Sequence, residues 1–424
     1  MIALASPGLT ASWLLRRDHD ITLFEANGYV GGHTNTVDVD HDGDKLAIDT
    51  GFIVHNDRTY PNLQRLFREL KVETTPSPMS FSVRCDRTGV EYNGTNLNGM
   101  FAQRSNLVRP TFHRMIRDIL RFNREAPGLI EHGDDGETVA EYLSKHGYGT
   151  RFRDHYLLPM GAAIWSCPES TFGRFPIRFI AEFYHNHGLL SLKNRPTWYV
   201  IKDGSREYVR KMLVELNPYV RLNSPVRQVE RSDAGVRVQT DTTDEWFDEI
   251  VFACHSDQAL RMLSDPSGTE AALLNKFPYN KNVALLHTDK SVLPKRRRAW
   301  ASWNYHIGTE STQAATVTYC MNILQHIESR HTYSVTLNEE NLIDPNKVLG
   351  KFHYSHPVYT TSRASAQARH AEVIRSNRTS FCGAYWGNGF HEGGVVSALA
   401  VCRAFGQTFD GPVSVPEQLE PVGQ

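Results

Sequence analysis

The run Gly8-Leu9-Thr10-Ala11, followed by Ile21-Thr22-Leu23-Phe24-Glu25 and then Gly28-Tyr29-Val30-Gly31-Gly32-His33-Thr34, decides how this chain is read. Leu9, Trp13 and Leu14 recur at helical spacing, which predicts a helix over 8–17. His19-Asp20 turns the chain, and 21–24 is a short β-rich run ending on an acid. Helix, strand and acidic residue in that order are parts of a dinucleotide-binding βαβ unit. The helix N-terminus offers free N–H groups to a pyrophosphate, and the acid accepts the ribose hydroxyls. Gly8 and Glu25 lie close to the roughly 20 residues apart that such a unit needs. The glycine pattern itself is altered. Counted back from Gly8, the other two glycines of G-x-G-x-x-G fall on Ala3 and Ala5, and Pro7 precedes Gly8. A methyl at Ala5 stands where backbone and pyrophosphate come closest. On these residues alone, an ordinary βα unit without a ligand stays open.

Working outward, 424 residues are too many for one ordinary core, so two or three compact units are expected. With 40% hydrophobic and 22% charged residues the composition is globular. A net charge of −1 excludes a strong overall field for nucleic acid, and no nucleic-acid partner is expected. The six cysteines (Cys85, Cys167, Cys254, Cys320, Cys382, Cys402) form no CxxC pair, which points to reduced thiols and a cytoplasmic setting. No apolar run reaches the roughly 18–20 residues of a membrane span. The apolar N-terminal stretch has Arg16-Arg17 behind it rather than a basic residue ahead, the wrong order for secretion.

Further along, 46–49 reads as a strand followed by Thr50-Gly51-Phe52, and 62–70 as a helix with Leu63, Leu66, Phe67 and Leu70 on one face. The stretch 98–184 is helix-rich, with helices over 111–123 and 137–146. A strand is expected over 199–203, a helix over 206–215, and strands over 220–222, 226–230, 236–240 and 249–253. Gly383 to Gly394 is a glycine loop feeding a helix that starts near Val395, a second helix N-terminus able to hold an anionic or carbonyl group. The Pro-containing tail after Gly411 is expected to be loosely ordered.

Taken together, these segments resemble the flavin-containing amine oxidase superfamily, which includes monoamine oxidases and carotenoid desaturases. The likeness is carried by Phe24-Glu25 with Gly31-Gly32-His33-Thr34, Asp49-Thr50-Gly51-Phe52, Pro159-Met160 with Ala163-Ile164-Trp165-Ser166, Asn322 with Leu324-Gln325, His356-Pro357, and the 383–398 block. More closely, the chain resembles a bacterial branch of FAD-dependent oxidoreductases that is itself similar to the N-terminal region of plant cyclopropane fatty acid synthases. The resemblance implies FAD held by discontinuous segments. Gly8 would meet the pyrophosphate, Glu25 the adenosine ribose, and Gly31, Gly32 and His33 the phosphates. Val226 would meet the adenine through its backbone. Gly389, His391, Glu392, Gly393, Gly394 and Val395 would wrap the ribityl chain and ring, with Tyr385 and Trp386 beside it. Thr34, Gly51 and Phe52 complete the set. The superfamily usually has arginine at His33; the branch has Asp near Gly393 and a paired glycine near Asp203-Gly204-Ser205.

The fold this implies is α/β and amine-oxidase-like. A Rossmann-like FAD-binding domain is expected from 1–75, 205–265 and 375–415, with a mixed α+β substrate domain from 76–204 and 266–374. The function implied is an FAD-dependent oxidoreductase removing hydride from a C–H bond of a hydrophobic small molecule or lipid, a fatty acyl chain or an amine. The alternative is a non-catalytic flavoprotein-fold partner of a lipid-modifying enzyme; an NAD(P) enzyme is a third class, against which the distant 383–398 loop argues. No catalytic residue and no oligomeric state are assigned. The nineteen histidines lack the spaced carboxylates or cysteines of a metal set, so no metal is expected. Lys295-Arg296-Arg297-Arg298 with Trp300 and Trp303 reads either as a peripheral membrane contact or as a solvated loop with tucked tryptophans, and the second is preferred. Tyr156, Trp165, Tyr184, Trp198, Tyr199, Trp303 and Tyr319 supply aromatic surface to the expected substrate domain.

Overall fold

A computed structural model describes residues 1–132, 136–309, 314–360 and 362–412. The tail expected to be loosely ordered lies, from 413 on, outside the described residues.

The short run at Phe24 is the second member of a parallel sheet. Leu23–Phe24 pairs with Val220–Arg221, and Ile2 bridges Phe24 on one side and Phe252 on the other. Ile250–Phe252 pairs in turn with Thr379–Phe381, so the order is 220–221, 23–24, Ile2, 250–252, 379–381, all parallel. The strand expected over 21–24 shortens to Leu23–Phe24 because its partner Val220–Arg221 is only two residues long. Strands this short are held by what covers them.

The cover is helix α1 (Ser6–Leu15), every residue of which is buried. It packs between the helices Arg206–Leu216 and His391–Ala404. Pro7 sits in its first turn, where a missing N–H is no loss. α1 therefore begins two residues before Gly8. The C-terminal helix runs His391–Ala404, four residues ahead of the expected start, so Gly393 and Gly394 belong to its first turn rather than to a loop. Packing explains it. A Cβ on Gly393 would stand 3.1 Å from the Gly387 Cα, and one on Gly394 would stand 3.4 Å from the Pro7 ring. The glycines are there so that a helix can lie against neighbouring backbone and α1.

The other layer is a seven-stranded mixed sheet, ordered Val348–Pro357, Tyr279–His287, Ser334–Leu337, Val317–Cys320, Trp303–Ile307, Phe81–Cys85, Val90–Asn93. The pairing of Trp303–Ile307 with Phe81–Cys85 is parallel and the rest antiparallel. Helices Pro110–His132 and Ile177–Asn186 pack on each other beside it. The first outruns the expected 111–123, passing through Pro127. A third sheet pairs Trp198–Ile201 with Val54–Asn56 and Thr74–Pro76. The fold is α/β and amine-oxidase-like, with a Rossmann-like layer beside a mixed sheet. Among the described residues no helix is long and apolar enough to cross a membrane.

Candidate active site

The site is built from the chain entering α1. Ala3 occupies the first glycine position with φ +67°, a left-handed conformation that costs alanine on the order of 1 kcal/mol. Gly8 fills the third position for steric reasons: a Cβ there would stand 2.2 Å from the Ala3 carbonyl oxygen and 2.9 Å from the Ala253 methyl. Glu25, buried at the strand end, accepts from Leu4 N (2.9 Å) through Oε2 and from Asn27 N and Nδ2 (both 2.9 Å) through Oε1. Its carboxylate thus ties the strand end to the α1 loop.

The 28–34 loop crosses in front of that helix. Gly31 N donates to Leu4 O (2.9 Å) and Thr34 N to Gly31 O (3.0 Å). Gly31 (φ +128°) and Gly32 (φ +58°) take conformations that suit glycine. The Ala5 methyl points at Gly32, 3.0 Å from where a Cβ would stand. Phe52 N donates to His33 O (2.7 Å), and a Cβ on Gly51 would stand 2.2 Å from that same oxygen. Thr34 Oγ1 bonds Tyr208 Oη (2.5 Å) and His391 Nε2 (3.1 Å), and the His391 ring stacks on Phe52 with centroids 3.6 Å apart.

His33 is enclosed by other rings: Tyr354 at 4.9 Å, His356 at 5.3 Å and His255 at 6.1 Å. Its Nε2 is buried with no protein partner. Burial, then repulsion from His356, His255 and His391, holds its pKa well below the usual range. Burial also lowers His255, brings His356 to about 4 and brings His391 to about 3. These four imidazoles are therefore neutral at pH 7 and present a wall rich in ring nitrogens. Asn282 Nδ2 meets His356 Nδ1 at 3.0 Å, which places the His356 proton on Nε2.

A cavity of about 400 Å³ connects these parts. Gly31, His33, Gly51, Phe52, Gly389, His391 and Gly394 line it together with Ala5, Ser6 and Pro7. Gly8, Glu25, Gly32, Thr34, Val226 and Val395 are not on its wall. Val226 is buried and pairs with Thr240. Val395 is fully buried between helices. Glu392 has a different task from wrapping a ligand. Its carboxylate accepts from Asn62 N (3.1 Å), Asn62 Nδ2 (2.7 Å) and Leu63 N (2.9 Å), capping helix α2 (Pro61–Glu69). Glu392 and Gly393 line a second cavity of about 570 Å³. Trp386 lines that second cavity too, stacked on His370 at 4.2 Å, so of the pair expected beside the ring only Tyr385 reaches the first.

From the α1 end the first cavity runs into the mixed-sheet layer, past Phe390 and Phe183 (5.4 Å apart) to Tyr156, Trp165, Trp198, Trp303 and Tyr319. Tyr184 and Tyr199, grouped with these in the sequence reading, are not on its wall. Trp303 is half-buried against Tyr319, Trp300 Nε1 donates to Pro294 O (2.7 Å), and Arg296 pairs with Glu91 (2.9 Å). His255, Tyr279, Phe390 and Arg195 line the cavity without having been singled out by the sequence. Only their placement on separate elements brings them together. No cluster of three or more metal-ligating side chains occurs among the described residues.

The residues fit a dinucleotide's pyrophosphate and flavin. The α1 N-terminus has no acid in its first turn, two left-handed glycines cross in front of it, and a buried imidazole nitrogen lacks a partner. Fold and site define a flavin-binding oxidoreductase. The chain belongs to the flavin-containing amine oxidoreductase family, whose model matches residues 7–316. It is an FAD-dependent enzyme of that family.

Solved structures share the fold across 95% of this chain. They include cyclohexylamine oxidase from Brevibacterium oxydans IH-35A (TM-score 0.66, 14% identity, 98% of that chain covered). A CLA-producing fatty acid isomerase from P. acnes matches equally well (TM-score 0.66, 14%, 97%). So does putrescine oxidase bound to putrescine (TM-score 0.65, 15%, 97%). The chain has no significant match among curated proteins.

Proposed function

We propose that the protein removes hydride from a C–H bond of a hydrophobic substrate held in the first cavity. One observation carries this reading: a single cavity joins the α1 N-terminus and the His391 helix to a room walled by aromatic and aliphatic side chains. Bound FAD supplies the hydride acceptor, so the protein needs no activated nucleophile. What the chain does is bind and orient. Ser6, Gly31 and His33 face the pyrophosphate end, Gly389 and His391 the ring end, and Phe390 with Phe183 confines the substrate and keeps water out. Glu25, Gly32 and Thr34 act one step back, fixing the loops that make contact, and Gly8 and Val226 set the approach of helix and strand. The parallel-sheet segments form the cofactor domain and the mixed-sheet segments the substrate domain.

A lipid-handling role, in line with the resemblance to the cyclopropane synthase region, is supported by the apolar wall and by the shared fold of a fatty acid isomerase. The exposed Lys295, Arg296, Arg297 and Arg298 suit a peripheral contact with an anionic membrane, with Arg296 also paired to the buried Glu91 and Trp303 half-buried against Tyr319. Free cysteines, five of the six buried, suit a cytoplasmic setting. Anaerobic titration of the flavin band with long-chain lipids and amines tests the reading. Bleaching by an apolar substrate supports it. A protein that carries no flavin would instead act as a scaffold.

A further inference from the structure

Among the described residues, the wall of the first cavity carries one formal charge: Arg195 is the only Lys or Arg on it, and no Asp or Glu lines it. The five histidines on that wall are all held toward the neutral form by burial: His33, His255, His356, His391 and His187, the last at about 4. A cationic amine entering this space would lose its hydration and find no counter-charge. An anion would find one guanidinium.

Arg195 is exposed, so it stands where the cavity opens, beside Leu192, which is 71% exposed and also on the wall. The segment between helix Ile177–Asn186 and strand Trp198–Ile201 holds it there. Gly188 (φ +67°) lets Pro196 pack so close that a Cβ would stand 2.5 Å from the proline ring. Arg58 Nη2 donates to Asn194 O (2.9 Å), Thr197 N to Asp57 Oδ1 (3.0 Å), and Arg195 Nε to Ser191 O (2.7 Å). Burial, opposed by a smaller effect of the Arg195 charge, carries the Tyr156 phenol up to about 12. Also on the wall, Asn123 has a buried Oδ1 with no protein partner.

We propose that the substrate is an anionic amphiphile, a long apolar chain ending in a free carboxylate. Arg195 holds the carboxylate at the opening, and the chain lies among Met100, Ile119, Tyr156 and Met160 toward Phe390. This rests on the reading of the cavity as the substrate site, and it names the class that enters. Arg195 is a binding residue that selects by charge, not a participant in bond breaking.

The test uses the FAD-loaded protein and three probes of equal length below their micelle concentrations: dodecanoate, dodecylamine and dodecanol. Calorimetric titration gives each affinity. Dodecanoate should bind at least roughly tenfold more tightly than either other probe, because a charge-assisted guanidinium–carboxylate pair is added to the same apolar contact. Arg195→Gln should bring dodecanoate down to the dodecanol value, and Arg195→Lys should keep most of the preference. Dodecylamine binding as tightly as dodecanoate overturns the proposal. So does Arg195→Gln with unchanged dodecanoate affinity and an unchanged melting temperature. Flavin content measured on the same samples keeps the two readings apart. Charge selection at Arg195 in a protein that takes up no FAD would uphold the anion site and remove the oxidoreductase reading.

Discussion

The methyl group of Ala5 faces Gly32: a Cβ built on Gly32 would stand 3.0 Å from it. A side chain at the second glycine position of the α1 loop is thus accommodated by a glycine across the gap. The methyl that seemed to obstruct a pyrophosphate is turned toward the 28–34 loop. Gly32→Ala should weaken both stability and FAD binding, through strain of about 1 kcal/mol at φ +58° and through the clash with Ala5. Adding Ala5→Gly should relieve the clash and leave the strain. A double-mutant cycle on melting free energy should therefore give a coupling above about 0.5 kcal/mol. Strict additivity would mean that the two groups do not touch.

Glu392 supports the site from behind. Replacing it with alanine strips acceptors from Asn62 and Leu63 in the first turn of α2, and should destabilise the protein by about 1–2 kcal/mol. Hydrogen exchange at those two amides should speed up more than exchange elsewhere in the helix. Unchanged protection at both would show that the carboxylate is not their partner.

Asp49 should make the protein less stable at neutral than at mildly acidic pH. Its Oδ1 accepts from Thr36 Oγ1 (2.6 Å) and from Ser205 N and Oγ (both 2.8 Å), but Oδ2 is buried without a partner. Burial raises its pKa to about 6, above the ordinary 3.8. Between those values the native state binds the extra proton. The stabilisation is complete below about 4 and is lost as pH rises through about 6. Asp49→Asn keeps an acceptor for the three donors and removes the charge. Its stability should exceed the parent's by an amount on the order of 2 kcal/mol at pH 7.5, with the gap closing toward pH 4. Urea melts at both pH values decide it. A gap that widens toward pH 4 would contradict the assignment.

Some of this was legible in the residues. Glu25 at a strand end, Gly31-Gly32 and the helix over 62–70 could be read because each depends on a local pattern: an acid after a β-run, paired glycines, an apolar stripe at helical spacing. α1 was harder, since a helix buried all round has no polar face to give its boundaries. The His391 helix was misplaced because Gly393 and Gly394 look like loop residues, while their purpose is close packing against Gly387 and Pro7. Trp386 and Tyr385 line different cavities, a divergence that chain adjacency does not reveal. Arg195, His255 and His356 lie on three distant segments, and only the fold puts them on one wall.

Acid precipitation of the purified protein tests most directly whether FAD is bound without a covalent link. Cys382, the cysteine nearest the 384–389 turn along the chain, follows the strand Thr379–Phe381 and is fully buried with Val251, Ala253 and Val401, while Cys254 lines the first cavity. A noncovalent site predicts a yellow protein that releases stoichiometric FAD to the supernatant and takes it up again when refolded with cofactor. Flavin retained in the pellet would contradict the noncovalent site. A colourless protein that binds no added FAD would contradict the assignment of this cavity altogether.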